Sequence, residues 1–238
     1  VKRWRCPYQT LNAVLLGPGT SITHDAIRHL SAHGTAIMAV GTDGTRLYTA
    51  PPIFDRDSDL GRRQATFWGT AQGRMIVALG MYEKRFGERP RVTTVEALRG
   101  MEAARIKAFR GLIARRFGIE WHGRRFDRAN PERTDVPNMA INHAVTAVEA
   151  AVAIAVNATA TIPRLGFIHE DSAKSWVLDI CDLYRTTVTV PLAFRAAKEF
   201  QRQSSTSLDR LVRRYCSGHF KAHGFVDQVI DDIKEMLP

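Results

Sequence analysis

Residues 144–160 are almost wholly alanine, valine and isoleucine, broken only by Thr146, Glu149, Asn157 and Thr159. A helix with so little polar surface has to be covered on nearly every side, by lipid or by other helices. The stretch is shorter than the ~20 apolar residues that span a bilayer, and Glu149 sits in its middle. It therefore reads as a buried core helix, and such a helix needs neighbours. The chain supplies them. Apolar residues recur at helical spacing near 60–86, 94–117, 137–158, 172–184, 190–201, 206–216 and 222–236, with breaks at 87–90, 118–137 and 157–169.

The first fifty residues follow another pattern. Residues 11–16 read as a strand ended by Gly17-Pro18-Gly19, and Thr20, Ser21 and Thr23 are candidate caps of a helix that Gly34 stops. Residues 36–40 and 45–49 bracket Gly41-Thr42-Asp43-Gly44, a hairpin signal. Three strands and one helix make a thin core, so this part is expected to lean on another element or chain. The Pro-rich, polar run after Ala50 is the expected boundary. The parse is α+β: a small N-terminal β-rich domain over 1–52, a linker over 53–59, and a larger all-α domain over 60–238.

The chain carries 34 Lys+Arg against 24 Asp+Glu, a net charge of +10, and 27 of the 34 are arginine. Arginine's planar fork matches phosphate oxygens, so the bias points to a polyanion partner rather than to solubility alone. Residues 99–128 hold nine of the basic residues and only Glu102, Glu120 and Asp127. Cys6, Cys181 and Cys216 are too few and too scattered for a disulfide framework or a four-thiolate zinc site. No targeting segment is evident, and the expected location is the cytoplasm, with no membrane partner.

Three groups of residues suggest chemistry. Asp179 and Asp182 share a helical face amid Trp176, Val177, Leu178 and Ile180, and paired buried carboxylates can hold a hard divalent ion. Arg185, three residues on, can neutralise Asp182 instead. His169 stands at a loop–helix junction and can add an imidazole ligand. Glu102 lies between Arg99 and Arg105, which reads either as a charged helix face or as a carboxylate ligand among phosphate-binding arginines. Cys216, His219, His223 and Asp227 have a helical spacing, but Gly218 and Gly224 are expected to interrupt that helix. No phosphate-binding loop, nucleophile elbow or dinucleotide fingerprint is present.

Taken in order, Leu16-Gly-Pro-Gly-Thr-Ser-Ile-Thr-His-Asp-Ala, Leu98-Arg-Gly-Met-Glu-Ala-Ala-Arg, Trp121-His-Gly-Arg-Arg-Phe-Asp, Gly166-Phe-Ile-His and Val177-Leu-Asp-Ile-Cys-Asp-Leu resemble the Cas1 family of CRISPR adaptation integrases. The likeness runs from about Leu11 to Ile233. It implies a dimer as the basic unit, double-stranded DNA as substrate, both spacer precursor and repeat, and a small Cas2-type partner. It also implies Mg²⁺ or Mn²⁺ at Glu102, His169 and Asp182, with Asp179 contributing to the same catalytic site. Arg185, Arg210 and Arg213 match the family's DNA-contacting positions, and Arg124 and Arg125 are further candidates beside Arg99 and Arg105. The implied reaction joins the 3′-hydroxyl ends of short DNA to a CRISPR repeat by transesterification. A typical member has roughly fifty further N-terminal residues, so a shortened N-terminal domain and a homo-oligomer acting alone are expected options. The alternatives are a metal-dependent nuclease or transposase-like enzyme outside CRISPR immunity, and a non-catalytic DNA-binding scaffold.

Overall fold

The computed structural model describes residues 10–49, 58–125, 134–203 and 205–237. The linker expected at 53–59 falls mostly outside these residues, as do the last two positions of the Trp121–Asp127 motif.

A three-stranded sheet is followed by eight further α-helices among the described residues, the expected α+β order. Strand β1 (Ala13–Leu16) runs parallel to β2 (Ala36–Val40), with Ala13 opposite Ala36 and Leu15 opposite Met38. The crossover is α1 (His24–Ala32), which Thr23 caps by accepting from Ala26 N at 3.2 Å. Strand β3 (Leu47–Thr49) returns antiparallel through a 3₁₀ turn at Thr42–Gly44, where Gly44 supplies a positive φ of 73°. The thin core is completed from outside. Ala36, Met38 and Val40 pack with Ile154 of the long apolar helix.

That helix, α5 (Val136–Ala158), organises the rest. Asp135 caps it by accepting from Asn138 N at 2.9 Å, and Pro137 fits the first turn, where no N–H partner is needed. It is long and apolar enough to cross a membrane, yet Ile141, Val148, Val152, Ile154 and Val156 are buried against protein. Each such side chain contributes about 2 kcal/mol by leaving water. Glu149 turns outward and pairs with Lys174. Around α5 stand α6 (Ser175–Leu183), α7 (Val190–Gln203), α8 (Leu208–His223) and α9 (Phe225–Met236).

Three boundaries differ from the periodicity. The segment 60–86 is two helices, α2 (Asp59–Trp68) and α3 (Ala71–Phe86), because Thr70 caps the second. Only glycine fits at the corner: a Cβ on Gly73 would meet Phe67 O at 2.3 Å. Residues Arg185–Thr189 form a π-turn that joins α6 to α7 rather than a gap. Gly218 does not interrupt α8, which runs on to Gly224, where a φ of 56° ends it. Helix α4 (Val95–Phe117) packs on α3 and α7 and ends at Gly118.

Candidate functional site

Helix α4, helix α6 and the 162–174 loop meet at a cleft of about 300 Å³ lined by Arg99, Glu102, Ile168, His169, Asp182, Arg185 and Arg110. The loop that carries His169 is fixed before any ligand arrives. Gln64, fully buried on α2, donates to Ile162 O at 3.0 Å and Leu165 O at 2.8 Å, and accepts from Ile162 N at 2.6 Å. Trp68 Nε1 donates to Gly166 O at 3.0 Å, and Arg99 donates to Ile168 O. Gly166 is required where it stands, since a Cβ there would meet His169 O at 2.4 Å.

Asp179 completes the clamp. One carboxylate oxygen accepts from Phe167 N at 2.5 Å and Ile168 N at 3.1 Å; the other accepts from His169 N at 2.9 Å and pairs with His169 Nδ1 at 2.7 Å. Four donors thus converge on a carboxylate with no exposed surface. Asp179 and Asp182 share a helix face in sequence but not a role. Asp179 holds the loop and orients the imidazole, and Nε2 is the ring nitrogen left for a ligand. The Asp179 hydrogen bond raises the His169 pKa above its ordinary value, against the opposing effect of burial.

Asp182 faces Glu102 instead. Arg85, on α3, donates to Glu102 Oε1 at 2.6 Å with a side chain only 4% exposed. Arg185 reaches the same oxygen at 3.4 Å and also pairs with Asp182, so one guanidinium bridges both carboxylates. Burial would raise the Glu102 pKa, but Arg85 and then Arg185 outweigh it and hold the group below its usual value. Burial pushes Asp182 the other way, up to about 6, with Arg185 pulling against it and the Glu102 charge adding to it. On acidification Asp182 therefore takes up its proton before Glu102 does.

Two carboxylates and one imidazole form a donor set for a hard divalent ion. The residues fit such an ion chemically, although Arg185 now supplies the positive charge between the carboxylates. Consistently, no three His, Cys, Asp or Glu side chains among the described residues are grouped ready to hold a metal. Cys216 is buried in the core, and the His219 and His223 rings lie 4.5 Å apart, tilted at 45°.

The arginines divide among several places. Arg99, Arg185 and Arg110 line the cleft, and Arg185 also opens onto a larger cavity of about 700 Å³ shared with Arg110 and Arg124. Arg124 is held by Asn138 Oδ1 at 3.1 Å and Asn142 Oδ1 at 2.6 Å. Arg125 is exposed beside it. Arg105 stands apart from the cleft, over the Tyr82 and Phe86 rings at 5.4 and 5.0 Å, and pairs with Glu88. Arg210 and Arg213 line a separate cavity of about 540 Å³ with Arg46, Tyr48 and Arg214, and Asp209 pairs with both Arg213 and Arg46. Sequence reasoning missed Arg85, Arg110 and Gln64. Arg85 and Gln64 lie far from the motifs in sequence and have no pattern that sets them apart.

Comparison with known proteins adds an independent line. Residues 78–210 match the family model described as CRISPR associated protein Cas1. The chain is 32% identical to CRISPR-associated endonuclease Cas1 1 of Rhodospirillum rubrum, over 99% of its own length and 76% of the relative's. It is equally 32% identical to CRISPR-associated endonuclease Cas1 of Escherichia coli K12, again over 99% and 76%. The solved TtCas1–DNA complex superposes with a TM-score of 0.88 at 30% identity, covering 98% of this chain and 86% of that one.

Proposed function

The chain belongs to the CRISPR-associated Cas1 family, and from that premise we propose that it joins the 3′-hydroxyl ends of short DNA to a CRISPR repeat by metal-dependent transesterification. The observation that carries this reading is the convergence of Glu102, His169 and Asp182 from three separate segments on one arginine-lined cleft. The attacking 3′-oxygen forms a new P–O bond as the target's P–O3′ bond breaks, so phosphodiester number is conserved. A bound Mg²⁺ or Mn²⁺ would lower the pKa of the attacking hydroxyl and stabilise charge on the phosphate oxygens.

The protein's part is placement. Glu102, Asp182 and His169 Nε2 would hold the ion, and Asp179 fixes the imidazole that presents Nε2. Arg99 anchors the His169 loop through Ile168 O. Arg185 offers a guanidinium at the cleft rim, where a phosphate would lie. The outlying Arg210 and Arg213 would hold the duplex further away, which makes affinity strongly salt-dependent. The proposed partners are double-stranded DNA, a second copy of the chain and a small Cas2-type protein.

The test is joining itself. A labelled duplex with 3′-hydroxyl ends is incubated with a supercoiled plasmid carrying a repeat, in Mg²⁺ or Mn²⁺, with and without the small partner. Label covalently joined to plasmid, and lost on chelation, is the expected result; no joined label in either arm overturns the reading. The titrations above add a pH signature. Asp182, with its pKa near 6, and His169, with its pKa raised, must each lose a proton to bind a cation. Mn²⁺ affinity, read from the free-ion resonance signal, is expected to rise with pH through about 6 and to level off once His169 is neutral. A flat profile between pH 5.5 and 8 would remove these groups from the ion site.

A further inference from the structure

Two arginines meet on Glu102, and each directly follows a residue held by one side chain of α9. Arg85 follows Lys84 on α3, and Lys84 Nζ pairs with Asp232 Oδ1 at 2.9 Å. Arg185 follows Tyr184, whose hydroxyl donates to the other Asp232 oxygen. Asp232 itself is buried. No part of the reaction above employs Lys84, Tyr184 or Asp232.

The local backbone can pass this grip on to the arginines. Neighbouring helical residues point about 100° apart, so α3 faces α9 with Lys84 and α4 with Arg85. Arg85 donates to Glu102, while its Nε and Nη2 are buried without a hydrogen-bond partner among the described residues. Apart from the Phe86 ring at 5.0 Å, its aim therefore comes from the backbone that carries it. The second arm is more constrained. Tyr184 O accepts from Val188 N at 2.9 Å and from Thr189 N at 3.0 Å, which makes this residue the pivot of the π-turn that Arg185 begins. Such turns are rare, and they are frequent at functional sites. The Tyr184 ring meets Phe225 edge-on at 4.8 Å, so α9 grips the pivot by ring and hydroxyl together.

Packing alone does not ask for a carboxylate here. An apolar side chain of similar size would fill the space without the cost of burying charge. What the carboxylate adds is direction, because its two oxygens fix Lys84 and Tyr184 at once. Glu235 also pairs with Lys84, at 2.5 Å, but its side chain is largely in water. We propose that Asp232 is a positioning residue of the carboxylate cleft. From α9 it holds Lys84 and Tyr184, and through the residues that follow them it sets Arg85 and Arg185 against Glu102 and Asp182. The assignment rests on the reading that this cleft joins DNA.

Asp232→Asn keeps the volume and one acceptor oxygen, so it cannot hold both partners. Glu235→Gln, which removes the same charge from the exposed second partner of Lys84 and leaves Tyr184 held, is the control. The first readout needs neither metal nor DNA: hydrogen exchange of the Arg85 Nε–H followed by NMR, taken relative to the backbone amides of α5, which report global stability. Exchange is expected to be about tenfold faster in Asp232→Asn, the loss of one charge-assisted hydrogen bond, and unchanged in Glu235→Gln. An acceleration no greater than that of the α5 amides reports a structural role only and overturns the proposal.

Tyr184→Phe tests the other arm, since it keeps the ring on Phe225 and loses only the hydroxyl. Arg185 bridges the carboxylates that would hold the ion, so loosening it is expected to raise Mn²⁺ affinity about threefold. The same substitution made on top of Arg185→Gln is expected to change nothing. No rise, or an equal rise in both backgrounds, overturns the link to Arg185. If the parent binds no Mn²⁺, the ion reading falls, while faster Arg85 exchange in Asp232→Asn still supports the tie.

Discussion

Replacing His169 by alanine is expected to lower strand joining on the order of 10³-fold while leaving the fold intact. The imidazole is 34% exposed, and the contact it loses is the one to Asp179. Breaking that one hydrogen bond costs about 1 kcal/mol of stability. Asp179→Ala should behave differently. It leaves the backbone N–H groups of Phe167, Ile168 and His169 without their acceptor and frees the ring. The expected loss is about 3–5 kcal/mol of stability, with joining reduced as severely as in His169→Ala. Urea denaturation beside the plasmid assay separates the two roles. If Asp179→Ala unfolds at the parent's urea concentration, the clamp is not what holds the loop; if His169→Ala joins DNA at the parent's rate, Nε2 has no place in the reaction.

The contrast between those variants marks what the sequence could reveal. The i,i+3 spacing of Asp179 and Asp182 placed both on one side of α6, and the apolar neighbours pointed to burial of at least one, where the structure buries both. Spacing could not tell that one carboxylate faces backbone donors and the other faces Glu102. That division depends on the path of the 162–174 loop, which Gln64 and Trp68 fix from nearly a hundred residues away. The order of sheet and helices was legible because periodicity and capping are local: Thr23 caps α1, and the apolar run of α5 is the core. The split at Thr70 was hidden because residues 60–86 keep helical spacing on both sides of it. Arg85 was hidden for a third reason. At the end of α3 it looks like a basic C-terminal residue facing water, and only the packing of α3 on α4 turns it onto Glu102.

Arg185 pairs with both carboxylates of the cleft, and its removal is expected to act in opposite directions on two ligands. Its guanidinium bridges Asp182 and Glu102 and is one-third exposed, so a cation reaching the carboxylates competes with it. Arg85 also pairs with Glu102, but its burial makes it a fixed part of the site. In Arg185→Gln the competitor is gone. Mn²⁺ affinity measured at pH 8, above the Asp182 titration, should then rise about tenfold, the equivalent of one charge-assisted hydrogen bond. DNA affinity should fall, with a salt slope smaller by about 0.9, because a phosphate-facing charge has also been lost. Arg185→Lys keeps the charge without the fork, and should sit between the parent and the glutamine variant in Mn²⁺ affinity. A tethered cation that yields to the ion and is then available to phosphate couples the two ligands, each favouring the other. That coupling is the decisive quantity: Mn²⁺ should tighten DNA binding in the parent and do so less in Arg185→Gln. Weaker Mn²⁺ binding in Arg185→Gln would mean that the arginine supports the ion site instead of filling it, and the displacement argument would fail.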